Sequence, residues 1–472
     1  MVVAFSFYGT INRMTALELR ASLGLAGLYA LRMLGMFLIL PVFALYAHTL
    51  PGGDEPLWIG LALGSYGLTQ ALLQLPFGMW SDHIGRKPLI YLGLILFAIG
   101  SLIAAWAPDV VWLTVGRVIQ GAGAISAVIT ALLADLTREE NRTRAMAMIG
   151  MTIGLTFAFS LVLGPLLTRY IGVPGIFLLT AVLCVFALLG VYWIIPNPVA
   201  TRFHSDAEAS PARLPAVLRN RELLRLNFGI FALHAAQMAM FVVIPFLLTK
   251  TGGLDHDHHW QVYLPVVVLG FVLMVPAIIY GEKKHRLKQV FVFAISLMCI
   301  AQISMALWLD SFAAIVAALA LYFIAFNILE ATLPSLVSKI APAEAKGTAI
   351  GVYNTGQSLG LFVGASVGGA LYGWYGSSGT FAFCAVLMVI WLLLAIRMTP
   401  PPAVRTQLYH IDPDFIARHW QGNAAALSAQ LARFEGVCEA VVIAAEDVAY
   451  LKVRQGTWDQ AGVEALLQIK AS

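Results

Sequence analysis

Long apolar runs separated by short polar stretches fill most of the chain, from about residue 22 to residue 398. Each run is long enough for the roughly 20 residues that a membrane-spanning helix requires. The pattern therefore predicts an all-α membrane region of twelve transmembrane helices. The predicted segments are 22–47, 57–80, 88–107, 110–134, 145–168, 174–195, 223–249, 260–280, 288–309, 311–338, 347–374 and 377–398.

The composition agrees with this prediction and limits the classes of function that the protein could have. Hydrophobic residues make up 60% of the chain and charged residues 11%, against about 45–50% and about 25% in soluble domains. The four cysteines (Cys184, Cys299, Cys384 and Cys438) have no paired spacing that would indicate a disulfide framework or a metal centre. No nucleophile, metal or nucleotide motif is present, so we predict no enzyme activity, no cofactor and no metal.

The distribution of positive charge predicts the orientation in the membrane. Lys and Arg number 19 at the N-terminus and in or beside the loops that follow every second segment, whereas the opposite set of loops holds only Arg169 and Lys250. Positive residues are enriched in cytoplasmic loops. Both termini are therefore expected in the cytoplasm.

An internal repeat divides the membrane region into two halves. Residues 36–41 (MFLILP) recur at 240–245 (MFVVIP), and Pro76, Asp82 and Arg86 recur as Pro276, Glu282 and Arg286. A parallel duplication of six helices is one of the architectures of secondary transporters, with the substrate site between the halves. We therefore predict an N-terminal half over 1–196, a cytoplasmic linker over 197–222 and a C-terminal half over 223–398.

A polar stretch between the second and third segments has the spacing Gly-x-x-x-Asp-x-x-Gly-Arg-Lys. Its fixed positions are Gly78, Asp82, Gly85, Arg86 and Lys87. A carboxylate is stabilised near a helix N-terminus, so Asp82 could cap or face a neighbouring helix. Arg86 could pair with Asp135 at the end of the fourth segment. The enrichment of Lys and Arg in cytoplasmic loops explains Lys87, but it does not explain an acidic residue such as Asp82.

This spacing resembles the loop motif of the major facilitator superfamily of secondary transporters, in which the loop joins the second and third transmembrane helices. Arg117, Gln120, Gly121 and Gly123 resemble the Arg-x-x-Gln-Gly-x-Gly motif often found in proton-coupled members. The resemblance implies the twelve-helix fold of that superfamily. It also implies that the loop charges latch the outward-facing state.

The fifth and eleventh segments carry glycine patterns. Gly164 and Pro165 resemble the core of the Gly-x-x-x-Gly-Pro-x-x-Gly-Gly motif of antiporters, although Ser160, Thr168 and Arg169 replace three of its glycines. In the eleventh segment, small residues at every fourth position let a second helix approach closely. These positions are Gly356, Gly360, Gly364 and Gly368. We predict that the two segments line the pivot of alternating access; static packing is the alternative.

Ionisable residues inside membrane helices are costly and usually functional. Glu330 is the only acid well inside a predicted segment, and Asn327 shares its helix face. We predict that Glu330 carries a coupling proton; the alternative is a permanent ion pair with Arg32, which could otherwise hold an anionic substrate. The candidate residues of the central cavity are Glu330, Arg32, Arg117, His234, Asn327, Gln237 and Gln120.

Two further stretches carry polar residues outside the membrane. The loop 255–259 (DHDHH) offers metal-competent side chains, but a solvated loop is expected there. After a proline-rich linker at 399–404, residues 405–472 read as a small soluble domain with strands 406–411, 439–445 and 448–454 and helices 424–434 and 458–469. Their βαββα order predicts a ferredoxin-like α+β fold. Acidic residues outnumber basic ones there, which argues against nucleic-acid binding.

Such a domain on a twelve-helix core is similar to a group of bacterial drug-efflux-type carriers in this superfamily. The resemblance implies a proton-driven drug/proton antiporter of the bacterial inner membrane, with small molecules, protons and lipid as its partners. Proton-coupled uptake remains open. A membrane sensor that signals through the C-terminal domain is the alternative from another class. The domain is expected to regulate or to mediate oligomerisation, and the substrate is not identified.

Overall fold

The computed structural model describes residues 14–198, 208–342, 345–400, 404–412, 415–444, 448–454 and 458–468. Most of the described residues are helical. The helices before the C-terminal domain are α1 (Ala16–Phe37), α2 (Leu40–Thr49), α3 (Pro56–Ile84), α4 (Arg86–Ala105), α5 (Val110–Ala122), α6 (Ser126–Leu136), α7 (Glu139–Trp193), α8 (Leu214–Arg219), α9 (Arg221–Lys250), α10 (Trp260–Lys283), α11 (Leu287–Leu307), α12 (Phe312–Ile340) and α13 (Lys346–Ile396).

Within the described residues, nine helical stretches are long and apolar enough to cross a membrane. Two of them, in α7 and α13, have 50 and 51 residues, more than twice the length that one crossing needs. Each contains one glycine with a non-helical, positive φ: Gly172 (φ 65°) and Gly376 (φ 67°). Glycine adopts such angles without the steric cost of a Cβ.

The chain reverses direction at both glycines. Thr380 Oγ1 donates to the Gly368 carbonyl at 3.0 Å, although twelve residues of straight helix would separate the two by about 18 Å. On α7, both Gly164 and Thr180 lie against α1 or its end, on opposite sides of Gly172. The described helices thus provide the twelve predicted crossings. Helices α1 and α2 together form one crossing, and α5 and α6 together form another. Helices α7 and α13 form two crossings each, and α3, α4, α9, α10, α11 and α12 form one each.

Buried apolar side chains form the interior of the helical region. A large cluster combines residues of both predicted halves, from Phe43 to Trp391, and a second lies among the first six crossings around Phe97 and Ile129. Of the nine long apolar stretches, the one in α9 is the most completely buried, with 94% of its most apolar part inside the protein. The core therefore lies along α9 and around it.

The predicted linker is partly helical where the structure describes it. A short 3-10 turn at Pro211–Arg213 leads into α8. The Asn220 side chain accepts hydrogen bonds from the backbone N–H groups of Glu222 and Leu223 and so caps α9. Since α9 begins at Arg221, the predicted end of the linker at 222 lies inside this helix. Residues 199–207 and 401–403, within the two predicted linkers, lie outside the described residues.

The C-terminal domain has a three-stranded antiparallel sheet. Its strands are β1 (Val404–His410), β2 (Val437–Ile443) and β3 (Val448–Arg454), in the spatial order β1-β3-β2. The helices α14 (Phe415–Trp420), α15 (Ala424–Leu431) and α16 (Gln460–Leu466) complete it. The third strand thus lies between the first two, as in the split β-α-β arrangement of ferredoxin-like folds. The sequence prediction missed α14.

Candidate functional site

Gly85 separates α3 from α4 with φ 104°, a backbone conformation that favours glycine. Arg86, the next residue, is buried and has three acidic partners. Its Nε lies 3.0 Å from Asp135 Oδ2, so the predicted pair is present. Its Nη1 donates to Asp82, and the same nitrogen donates to Ser81 Oγ at 2.6 Å. Asp82 thus pairs with Arg86. The predicted alternative, in which Asp82 caps or faces a neighbouring helix, is not seen in the described structure.

A third acid, Glu208, comes from the linker between the halves. Its Oε1 lies 2.9 Å from Arg86 Nη2, and its side chain hydrogen-bonds to Asp82. Two residues later, the Ser210 backbone N–H donates to Thr348 Oγ1 on α13 at 3.0 Å. The linker therefore connects the loop charges of the first half to the start of α13 in the second. The sequence carried no signal for this role, since Glu208 lies in a polar stretch without a motif.

Asp82 and Glu208 line a cleft between the halves, together with Gln74 and Asn354. Lys87, the last residue of the motif, takes no part in the acid cluster in the described structure. Its Nζ donates to the carbonyl oxygen of Ile195 at 2.6 Å. The motif thus contributes two kinds of contact. One is the buried charge cluster around Arg86, and the other is the contact of Lys87 just beyond the end of α7.

The pKa of Glu208 makes the linker contact sensitive to pH. Burial raises this pKa from 4.5 to about 8, with Arg86 opposing the rise and Asp82 adding to it. A carboxyl group with a raised pKa binds a proton in the docked state that it loses in the free state. The docked linker is therefore favoured at low pH, and this advantage disappears as the pH rises from about 4.5 to about 8.

We expect the linker to detach more readily as the pH rises towards 8. The measurement is maleimide labelling of Ala209→Cys, a residue packed against Gly351 of α13, in a Cys438→Ser background, since Cys438 is exposed and the other native cysteines are buried. The intrinsic reactivity of thiols also rises with pH, so the rate is divided by that of the same variant carrying Glu208→Gln. A ratio that does not change with pH would contradict the prediction.

Arg32 of α1 is held by neutral groups. It donates to Ser126 Oγ at 3.0 Å, to Tyr66 Oη at 3.0 Å and to the Gly123 carbonyl at 3.1 Å. The last acceptor is available because the α-helical pattern is interrupted between α5 and α6. The alternative that Arg32 pairs with Glu330 is wrong for the described structure, because the helix break and Tyr66 supply its partners instead.

Arg117 and Gln120 form a second network in the same half. Arg117 Nη1 donates to Gln120 Oε1 at 2.7 Å, and Gln120 Nε2 donates to Ser101 Oγ at 2.7 Å. The Arg117 guanidinium also lies over the ring of Tyr66, 4.9 Å from its centre, as in a cation–π contact. Tyr66 thus connects the two buried arginines. Neither has a carboxylate partner among the described residues.

Glu330 lies beside His234 in the second half. Glu330 Oε2 is 3.7 Å from His234 Nε2, and this oxygen is buried without a hydrogen-bond partner. His234 Nδ1 is 3.2 Å from the Ile230 carbonyl, and its Nε2 is 2.7 Å from Gln357 Nε2. A carbonyl requires a donor, so we assign the proton of a neutral imidazole to Nδ1, and Nε2 then accepts from Gln357.

The other predicted cavity residues lie apart from this group. Asn327 packs against α10, where a Cβ added at Gly270 would lie 2.6 Å from its Nδ2. Gln237 is buried, and no hydrogen bond joins it to His234 or Glu330 in the described structure. The structure therefore brings together Glu330, His234 and Gln357. The predicted stripe of Asn327 and Glu330 is not one hydrogen-bonded unit.

The glycines predicted to form a pivot lie at close contacts within each half. A Cβ at Gly164 would lie 2.3 Å from the carbonyl oxygen of Leu38 just after α1, and one at Gly364 would lie 2.1 Å from that of Ala235 on α9. Gly360 and Gly368 also face α9, and Pro165 lies inside α7 beside Gly164. These positions are therefore close helix contacts inside each half, as in the alternative of static packing, and their role as the pivot of alternating access stays a prediction.

The close contact between the halves is made by α3 and α13. A Cβ at Gly60 would lie 2.1 Å from the Ala365 carbonyl oxygen, and one at Gly67 would lie 2.6 Å from that of Ser358. Gly64 lies between them and faces Phe362. These three glycines were not predicted, although their spacing at 60, 64 and 67 is helical and could have been found.

The Asp255–His259 loop lies at the opposite end from the Arg86 cluster. Ligand atoms of Asp255, Asp257 and His258 lie within 4.8 Å of one another. His258 Nδ1 is 2.9 Å from Asp257 Oδ1, and Arg169 of α7 lies 3.9 Å from Asp257 Oδ2. The loop therefore joins the first half to the second through a weak surface ion pair.

Comparison with known proteins agrees with this architecture. The profile of the Major Facilitator Superfamily matches residues 25–365 and 282–422. The chain is 42% identical to the inner membrane transport protein YajR of Escherichia coli (strain K12), over 97% of this chain and 99% of that protein. It is 26% identical to the multidrug resistance protein MdtH of Aeromonas salmonicida, over 73% and 86% of the two chains.

Solved structures share the fold. A bacterial homologue of the human lysosomal transporter Spinster, in an inward-facing and occupied conformation, superposes with a TM-score of 0.66 at 14% identity, over 82% of this chain and 98% of that one. The human organic anion transporter MFSD10 gives 0.59 at 20% identity, over 81% and 100%. The matched family and relatives indicate a transporter and not an enzyme, as the sequence predicted. The chain belongs to the major facilitator superfamily.

Proposed function

We propose that the protein is a proton-driven carrier that exports small molecules by alternating access. In this proposal it lies in a bacterial inner membrane with both termini in the cytoplasm. The multidrug relatives favour drug-type substrates. The observation that carries the proposal is Glu330, whose buried Oε2 has no hydrogen-bond partner and faces His234.

The geometry around Glu330 supports proton loading at this position. When Glu330 is ionised, its Oε2 faces an imidazole nitrogen that also acts as an acceptor, and the 3.7 Å separation reflects no hydrogen bond. A proton on Oε2 would turn this contact into a donor–acceptor pair. Glu330 would then compete with Gln357 for His234 Nε2. Protonation thereby changes a contact between α9, α12 and α13, which is what coupling requires.

The gating part of the proposal uses the Arg86 cluster and the linker. Glu208 and Ser210 attach the linker to both halves at the end that carries the Gly78–Lys87 loop. Parting the halves at that end requires these contacts to break. We propose that the cluster latches this end closed, and that its release opens the carrier on that side. A membrane potential supplies about 2.3 kcal/mol per charge per 100 mV to drive such a cycle.

The test is proton movement in inverted membrane vesicles while candidate drugs are added. We expect a transported drug to dissipate the pH gradient with the wild-type protein and not with Glu330→Gln, because an amide cannot carry a proton. Downhill drug movement should survive in Glu330→Gln, since only the coupling is removed. Glu55→Gln is the matched control, because Glu55 is an exposed acid at the start of α3.

The outcomes separate the alternatives. An equal response of wild type and Glu330→Gln would contradict the role of Glu330. Drug movement across the membrane in the same direction as the protons that drive it would indicate an uptake symporter. Retention of transport after removal of the C-terminal domain would argue against the sensor reading, and no response to any compound would favour it.

A further inference from the structure

The central strand of the C-terminal sheet is buried on both faces. Ala449, Leu451 and Val453 belong to the core that the sheet forms with α14, α15 and α16. Successive side chains of a strand point to opposite faces, so Val448, Tyr450 and Lys452 face away from that core. They are nevertheless only 0%, 3% and 6% exposed. A sheet with helices on one side would leave its other side open to water, so something covers this face.

The register shows what this second face contains. Across from Tyr450 lie Leu408 on β1 and Val441 on β2, and across from Val448 lies Ile443. These five side chains form an apolar cluster separate from the core of the domain. The pair of Lys452 and Glu439, 2.8 Å apart, borders the cluster on one side.

One contact identifies what lies next to this face. Lys452 Nζ donates to the carbonyl oxygen of Ala341 at 2.5 Å, and Ala341 is the C-cap residue of α12. A helix C-terminus presents unpaired carbonyls and a partial negative charge, which a lysine ammonium stabilises. The domain thus contacts the helical region at the end of α12.

That helix is α12, which carries Glu330. Eleven residues separate Glu330 from Ala341, a distance of about 16 Å along a helix. The same end of α12 is also tied to α10, since Lys339 Nζ lies 2.7 Å and 2.8 Å from the two carboxylate oxygens of Glu282. Both contacts therefore hold the end of the helix that carries Glu330, with Pro334 between this end and the acid.

We propose that the C-terminal domain docks with its second sheet face on the end of α12 and restrains the movement of that helix. Lys452 is a positioning residue that holds the docked state, and the face of Val448, Tyr450, Val441, Leu408 and Ile443 is the docking surface. Undocking frees α12 and raises the transport rate. The docking part is independent of the substrate and of the coupling ion, whereas the effect on transport rests on the proposed function.

Docking is tested by maleimide labelling of the full-length protein in a Cys438→Ser background. Val448→Cys reports on the docking face and Ala449→Cys, its neighbour, on the core of the domain. We expect both to react slowly when Lys452 is present. Loss of one charge-assisted hydrogen bond shifts an equilibrium by about tenfold or more, so Lys452→Met should accelerate labelling of Val448→Cys by about that factor. Ala449→Cys should stay slow, and Lys452→Arg should retain slow labelling at both positions.

Fast labelling of Val448→Cys with Lys452 present would overturn the docking. If Lys452→Met exposed Ala449→Cys as well, the domain would have unfolded, and a cross-link would then decide. A short bis-maleimide should join Ala341→Cys to Glu439→Cys within one chain, since the native Glu439 carboxylate lies 2.8 Å from Lys452 Nζ and Lys452 is retained. It should not join Ala341→Cys to Arg433→Cys, whose native side chain is exposed on the helical side of the domain. Absence of the first cross-link would overturn the proposal.

The effect on transport is measured in the vesicle assay with a compound that wild type transports. We expect Lys452→Met to raise the rate and Lys452→Arg to leave it unchanged. An unchanged rate in Lys452→Met, in a protein whose Val448→Cys site is labelled rapidly, would overturn the restraint of α12 while leaving the docking intact. Failure of the wild-type protein to transport any compound would contradict the proposed function and not the docking.

Discussion

Replacing Gly60 with leucine is expected to stop transport while the protein still inserts into the membrane. Even a Cβ at this position would lie 2.1 Å from the Ala365 carbonyl oxygen and 3.3 Å from the Gly369 Cα, and backbone atoms cannot turn aside as a flexible side chain can. The leucine would force α3 and α13 apart at the end away from the Arg86 cluster. A carrier that cannot close at this end cannot complete its cycle. The measurement is substrate flux in vesicles, with the amount of inserted protein determined in parallel.

The controls separate a moving seam from ordinary packing. Gly150→Leu inserts the same side chain at a helical position where a Cβ meets nothing within 4 Å, so flux should be retained. Gly364→Leu introduces an equally close clash, 2.1 Å from the Ala235 carbonyl, but inside the second half. Overpacking costs about 1–3 kcal/mol, so it should lower stability as well as flux. Normal flux in Gly60→Leu would show that this contact does not need to close.

The fold could be predicted because each of its determinants is local in sequence. The twelve apolar runs and the repeat offset can be read from the sequence without knowledge of tertiary contacts. The reversals at Gly172 and Gly376 fall in the predicted gaps between segments. In the C-terminal domain, period-two alternation and turn residues located three strands, whereas the six-residue α14 is too short for helical periodicity to indicate it.

The partners of the buried charges could not be predicted in the same way. The Arg86–Asp135 pair followed from a motif and from topology, but Glu208 enters that cluster from a linker whose path is set by tertiary contacts. The Glu330 carboxylate and an anionic substrate were the two partners considered for Arg32. The structure instead provides the Gly123 carbonyl, which is available only because the helix is interrupted after α5. Gln357 on α13 bonds to His234 on α9, a contact between two helices that no local pattern indicates.

Removing the positive charge of Arg86 is expected to destabilise the protein severely. Asp135 is fully buried and Glu208 is nearly so, and Arg86 Nε lies 3.0 Å from Asp135 Oδ2. Removing one partner of a buried ion pair costs about 3–5 kcal/mol, because the charge that remains stays buried. Arg86→Met should therefore lower the midpoint of thermal unfolding of the purified protein markedly. The linker should also detach at high pH, where an ionised Glu208 would no longer lie beside the Arg86 guanidinium, so that Ala209→Cys is labelled rapidly there.

The internal repeat supplies a matched control for this prediction. Arg286 occupies the equivalent position in the second half, but it is exposed and donates only to Tyr280 Oη, at 2.8 Å, in the described structure. Exposed contacts of this kind contribute little, so Arg286→Met should unfold near the wild-type temperature. Adding Asp135→Asn to Arg86→Met removes the buried carboxylate that faced Arg86 and should recover part of the loss. Equal midpoints for Arg86→Met and Arg286→Met would mean that the buried cluster does not stabilise the protein, and the latch proposed at this end would fail with it.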